Sequence, residues 1–148
     1  MLIGFLRFGT LCEEVFCTCC MLSEVVMAKK IMTVDDSPTI RMALSASLID
    51  GGYEVVEATD GADAIRKLAS EDVEMMITDL NMPHMDGIEL IRKVRGDGKN
   101  RFLPIIMLTT ESENEKKKEG RLAGASGWVV KPFTPSQLLA VVKVVCPA

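Results

Sequence analysis

A chain of 148 residues with a formal net charge of −4 is the length of one domain that can bury a two- or three-layer core. That acidic balance, with no basic run longer than Lys116-Lys117-Lys118, argues against nucleic acid as a direct partner. No apolar stretch reaches the ~18–20 residues of a membrane span, and an appended DNA-binding unit is not expected.

Residues 1–28 differ from the rest: they are apolar and Cys-rich, with no helical or strand period. Cys12, Cys17, Cys19 and Cys20 crowd this segment, whereas Cys146 stands alone. The spacing is not the paired Cys-x-x-Cys of structural zinc sites, and no His lies nearby. Glu13 and Glu14 interrupt the apolar portion and Arg7 is the only early positive charge, so a secretory signal is a poor match. Reduced thiols in a cytoplasmic protein are the simplest account. Residues 1–28 are expected to be a disordered extension, or sequence upstream of a start at Met27, and residues 29–146 the domain.

Lys30-Ile31-Met32-Thr33-Val34 reads as a buried strand ending in Asp35-Asp36-Ser37-Pro38. The Ser37 hydroxyl is expected to cap a helix that has Pro38 at its first position, carries Arg41, Leu44 and Leu48, and exits at Gly51-Gly52. Tyr53 to Ala58 alternates as a more exposed strand does, and Asp60 caps a helix with Ala64, Ile65 and Leu68 on one side. Met75-Met76-Ile77-Thr78 is an apolar run that stops at Asp79, followed by a turn holding Pro83, His84 and Gly87. His84, the only histidine, reads as an exposed loop residue, and Met75, Met76 and Met107 as core filling.

Ile88, Ile91 and Val94 have helical spacing, and Leu103 to Thr109 is another apolar strand. Glu113 to Ala123 forms a charged helix in which Gly120 costs ~1 kcal/mol relative to alanine. Gly127-Trp128-Val129-Val130 is a last strand, ending at Lys131-Pro132-Phe133, and Thr134-Pro135 opens a helix to about Cys146. That helix carries Leu138, Leu139, Val141, Val142, Val144 and Val145, more than one core-facing stripe needs. The surplus is either extra core contact or a docking surface.

Strand followed by helix, five times over, predicts an α/β fold: a doubly wound parallel sheet with right-handed crossovers and helices on both faces. In such sheets ligands bind beyond the carboxyl ends of the strands. Asp35, Asp36, Asp79, Thr109 and Lys131 all fall at that edge. Each alone has an ordinary explanation as a helix-start acid, a turn cap, a strand-end hydroxyl or a solvated charge. Together they make a site. Clustered carboxylates raise one another's pKa unless a cation sits among them, and oxygen donors without His or Cys point to Mg²⁺. Such an ion and Lys131 would offset phosphoryl charge while Asp79 attacks in line and Thr109 donates a hydrogen bond, leaving an acyl phosphate on Asp79.

Val34-Asp35-Asp36-Ser37, Thr78-Asp79-Leu80-Asn81-Met82-Pro83 with Met85-Asp86-Gly87, Leu108-Thr109, and Gly124-Ala125-Ser126-Gly127 leading to Lys131-Pro132-Phe133 resemble the receiver domains of two-component response regulators, the single-domain chemotaxis regulators of the CheY type above all. The resemblance covers residues 29–146. It implies a flavodoxin-like sheet of five strands in the order 2-1-3-4-5 with five helices. It implies that Asp79 is the phosphoacceptor for a histidine kinase of the CheA type, that Asp36, Asp79 and the Asn81 carbonyl ligate Mg²⁺, and that Asp35 acts mostly through water. Lys131 would contact the phosphoryl group across a cis Lys131-Pro132 bond. Asn81 and Glu111 would tune hydrolysis, with a phosphatase as a further partner. Thr109 and Trp128 would switch a face made by the fourth helix, last strand and last helix toward a downstream protein.

Such a protein is a cytoplasmic signalling switch and not an enzyme, apart from catalysing its own phosphoryl transfer and dephosphorylation. A phosphorelay intermediate or a regulator of a non-flagellar target is the alternative. One departure from the chemotaxis type is Glu115-Lys116-Lys117-Lys118-Glu119, which reads as a solvated face and puts a flagellar target in doubt. An aspartyl phosphatase of the haloacid dehalogenase type is a more remote reading, because Asn81 stands where that chemistry needs an acid.

Overall fold

The computed structural model describes residues 27–110 and 114–147. The expectations for residues 1–26 and for Glu111 therefore lie outside the described residues. Five strands alternate with five helices: β1 (Lys30–Val34), α1 (Pro38–Asp50), β2 (Glu54–Ala58), α2 (Gly61–Ser70), β3 (Met75–Asp79), α3 (Gly87–Gly96), β4 (Ile105–Thr109), α4 (Asn114–Ala123), β5 (Gly127–Val130) and α5 (Pro135–Val145). All pairings are parallel, in the order β2-β1-β3-β4-β5. This is the doubly wound sheet that the alternation predicts. No helix among the described residues is long and apolar enough to cross a membrane.

β3 and β4 are buried along their whole length, so their side chains must satisfy two cores at once. Met32, Met76, Ile105 and Met107 point into one cluster, closed by Ala64 and Leu68 of α2 and by Ile88, Ile91 and Val94 of α3. Ile31, Met75, Ile77, Ile106 and Leu108 point into the other, closed by Leu44 and Leu48 of α1 and by Leu138 and Val142 of α5. β2 lies at the edge, which explains why all of it but Ala58 is half-buried or exposed.

Three details differ from expectation or resolve it. Ser37 stands at the N-cap of α1, but its hydroxyl makes no capping bond. Its backbone N–H donates instead to Asp35 Oδ1 at 2.8 Å, so the acid anchors the helix start. Gly120 is not simply a weak point: a Cβ there would lie 2.1 Å from Met107 Cε, so the missing side chain lets α4 sit down on β4. In α5, Leu139, Val141 and Val145 pack partly against the core and only Val144 is fully turned out, at 82 % exposure. Most of the apolar surplus is thus core contact.

At the edge where the strands begin, Arg95 of α3 ties two loops. Its guanidinium donates to the Gly124 carbonyl at 2.7 and 3.2 Å, to Leu103 at 2.8 Å and to Arg101 at 3.1 Å. Gly124, at φ +110°, lets that side chain approach closely. Replacing Arg95 with Met keeps the aliphatic stem but strips three carbonyls of their donor. The expected cost is about 2–3 kcal/mol, read as a lower urea midpoint at unchanged slope.

Candidate functional site

Sheet register sets the site. Val34 pairs with Thr78, so the residues that follow them, Asp35 and Asp79, leave neighbouring strands side by side. Thr109 pairs with Val130, which puts the next residue of that strand, Lys131, beside the end of β4. Asp35, Asp36 and Asp79 offer carboxylate oxygens that all lie within 4.8 Å of one another. Lys131 Nζ donates to Asp79 Oδ1 at 2.7 Å and reaches Asp35 Oδ2 at 3.5 Å. The Lys131-Pro132 peptide bond is cis.

Burial divides the three acids. Asp35 is 1 % exposed and Asp79 7 %, whereas Asp36 opens to solvent. Burial pushes the Asp79 carboxyl above its ordinary range, and the Asp35 charge adds to this, although the Lys131 ammonium pulls the other way. For Lys131, burial alone would lower the pKa; the hydrogen bond to Asp79 and the charges of both acids outweigh it and hold the amine above its ordinary value. The lysine is therefore a fixed positive charge at neutral pH.

Thr109 Oγ1 is buried and has no hydrogen-bond partner. A buried hydroxyl left unpaired costs roughly 1–3 kcal/mol, so its presence at the site edge calls for an acceptor that arrives later. Thr109→Val should leave the resting fold as stable as before or stabilise it by up to about 1 kcal/mol. Equilibrium urea unfolding checks this, and a loss above ~1 kcal/mol would show that the hydroxyl is already engaged.

Other residues frame the cluster. Gly87 opens α3 directly against the Asp79 backbone: a Cβ there would meet the Asp79 carbonyl oxygen at 2.4 Å. Asp86 caps the same helix, accepting from the Glu89 N–H at 2.8 Å. Asn81 is exposed in the loop that follows Asp79, as is His84, whose φ of 68° is in the left-handed region. Trp128 is half-buried against the α2–α3 side of the core, with Arg121 Cζ 4.8 Å from its ring centre. A groove of about 730 Å³ runs beside the cluster, between Trp128 to Pro132 on one side and Gln137 and Val141 of α5 on the other. Sequence reading gave Arg41 no part here, yet its Nη1 donates to the Asp35 carbonyl at 2.7 Å. Only its placement one turn into the helix after the acidic pair hinted at that.

The donor set is oxygen alone, with an anionic pair buried beside one ammonium. These residues fit a hard divalent cation such as Mg²⁺, held between the exposed Asp36 and the inner carboxylates.

Residues 31–143 match the family described as the response regulator receiver domain. The chain is 43 % identical over 118 residues to the chemotaxis protein CheY1 of Helicobacter pylori, a match covering 78 % of this chain and 95 % of that protein. It is 43 % identical over 111 residues to a CheY homologue of Campylobacter jejuni, covering 74 % and 85 %. Among solved structures, the chemotaxis protein CheY4 of Vibrio cholerae superimposes with a TM-score of 0.77 at 46 % identity, over 80 % of this chain and 98 % of that one. The receiver domain of a Pseudomonas aeruginosa sensor histidine kinase, solved with a magnesium ion coordinated in its active-site cleft, gives 0.75 at 26 % identity, over 82 % and 99 %. Sheet order, strand-end acids and these likenesses agree: the chain belongs to the response regulator receiver family.

Proposed function

We propose that residues 29–146 are a phosphoacceptor switch, with Asp79 as the residue that takes a phosphoryl group from a histidine kinase. The observation that carries this reading is the Lys131 ammonium bridging Asp79 and Asp35 at the strand ends, beside an acidic trio open to solvent at Asp36. When bound, Mg²⁺ would neutralise charge on the phosphoryl oxygens. Asp36, Asp79 and the Asn81 carbonyl would hold it, with Asp35 acting through water.

The chain's own groups do the rest. An Asp79 carboxylate oxygen attacks phosphorus, the bond from phosphorus to the donor's imidazole nitrogen breaks, and the imidazole leaves with that electron pair. Lys131 transfers its hydrogen bond from the carboxylate toward a phosphoryl oxygen, which keeps a cation beside charge throughout. Thr109 gives its unpaired hydroxyl to a second phosphoryl oxygen. That movement vacates space toward Trp128 and alters the face formed by α4, β5 and α5, where the groove beside Lys131 is a place for a downstream protein. Asn81 and Glu111 would set the rate at which water removes the phosphate.

The chemotaxis relatives support a single-domain chemotaxis role, with a CheA-type kinase upstream. Lys116, Lys117, Lys118 and their acidic neighbours give α4 a charged face, which favours an output target other than the flagellar motor.

Incubation of the whole chain with acetyl phosphate tests the chemistry. Intact mass should show a single phosphate adduct that requires Mg²⁺ and is lost in EDTA. Beryllofluoride with Mg²⁺ should change the emission of Trp128, the chain's only tryptophan. A protein that gains no adduct in any divalent cation is not a phosphoacceptor.

A further inference from the structure

We propose that Arg41 is a positioning residue for the cation site, acting through the peptide that joins Asp35 to Asp36. The proposal rests on the phosphoacceptor reading above. Arg41 lies on α1 with only 13 % of its side chain exposed. Its Nη1 donates to the Asp35 carbonyl at 2.7 Å. On the other side of that residue the Asp35 N–H donates to the Ala58 carbonyl at 3.3 Å, and the carboxylate accepts from the Ser37 N–H at 2.8 Å. Asp35 is thus fixed by its amide, its carbonyl and its side chain.

The carbonyl is the contact that matters for its neighbour. The Asp35 C=O and the Asp36 N–H belong to one rigid plane, so a donor on that oxygen sets the direction in which the chain enters Asp36. Asp36 is the exposed acid of the trio, and its carboxylate must still converge with that of Asp79. Arg41 itself is held from behind. Glu57 of β2 lies with Oε2 3.5 Å from Arg41 Nε, an attraction of charge without a hydrogen bond. Ser45 Oγ donates to Glu57 Oε1 at 2.6 Å and fixes that carboxylate. A path therefore runs from Ser45 through Glu57 and Arg41 to the backbone between two of the acids. Groups that orient ligands in this way commonly govern metal affinity by ~10–100-fold.

Calorimetric titration with Mg²⁺ alone, without a phosphoryl donor, separates this role from a structural one. Arg41→Met should weaken Mg²⁺ binding by about tenfold or more, and Arg41→Lys, which keeps a cationic donor on a shorter side chain, by less. Glu57→Gln, a change at a half-exposed side chain that leaves the fold's cores untouched, should weaken it in the same direction by a smaller factor. An Arg41→Met protein that is less resistant to urea but binds Mg²⁺ as the wild type does would overturn the proposal. If Arg41→Met does not fold, unchanged Mg²⁺ affinity in both Arg41→Lys and Glu57→Gln overturns it equally. Failure of the wild type to bind Mg²⁺ would instead count against the phosphoacceptor reading itself.

Discussion

Asp79→Asn is expected to abolish the phosphate adduct completely and, in Mg²⁺-free buffer at neutral pH, to make the fold more stable by about 1–2 kcal/mol. The two effects have one cause. Asp79 is a carboxylate at the buried end of β3, beside the buried Asp35, and the single ammonium of Lys131 is shared between them. Burial is the largest influence on its carboxyl and pushes the pKa up from the ordinary 3.8. The folded chain therefore holds that proton more tightly than the unfolded chain does. The stability this gives is fully present below the unfolded value and is lost as pH rises through the folded value. Asparagine keeps the shape and never ionises, so its advantage should appear above that window and vanish below it. Added Mg²⁺ should close the gap from the other side, by stabilising the wild type and not the variant. Thermal unfolding of both proteins across acid and neutral pH, with and without Mg²⁺, reads all three. A variant less stable than wild type at neutral pH would mean that the Lys131 pair outweighs the burial of charge.

Gly87→Ala is expected to destabilise the fold by about 2 kcal/mol and to slow adduct formation by at least ~10-fold. Helix propensity alone points the opposite way, because alanine in place of glycine in a helix gains up to ~1 kcal/mol. Position decides against it. A Cβ on Gly87 would lie 2.4 Å from the Asp79 carbonyl oxygen and 3.1 Å from Leu80 Cα, and both are backbone atoms that cannot rotate away. The Gly87 N–H also donates to the Leu80 carbonyl at 2.9 Å, so helix and strand end are already bonded at closest approach. To make room, either α3 lifts from the sheet or the Asp79 backbone moves, and both shift the Asp79 carboxylate relative to Lys131. Urea unfolding and the initial rate of phosphate uptake from acetyl phosphate measure the two losses. A stability gain with an unaltered rate would show that the loop yields freely.

The fold was legible because β3 and β4 are buried on both faces. A strand with two cores has to be apolar throughout, and the run stops where the chain reaches the edge, at Asp79 and Thr109. β1 stops in the same way before Asp35-Asp36, and with Asp60 capping one helix and Thr134-Pro135 opening the last, these stops placed the sheet and the edge where the acids meet. What stayed hidden depended on backbone atoms and on distance in sequence. Ser37 has the right residue type for a cap, but its hydroxyl makes no capping bond, and its own N–H is held by the Asp35 carboxylate. Gly120 reads as a helix weakness until Met107, from another strand, is seen to fill the space. Arg41 reaches a carbonyl rather than a side chain, and no residue pattern announces a carbonyl.

The acids of the cluster lie between residues 35 and 79, while the unpaired hydroxyl and the ammonium come later in the chain, from residues 109 and 131. The ladders between β3 and β4 and between β4 and β5 together bring them within reach. If the proposed function holds, a chain in which β3, β4 and β5 have not yet paired lacks the lysine and hydroxyl of the site and should not take up phosphate until they have.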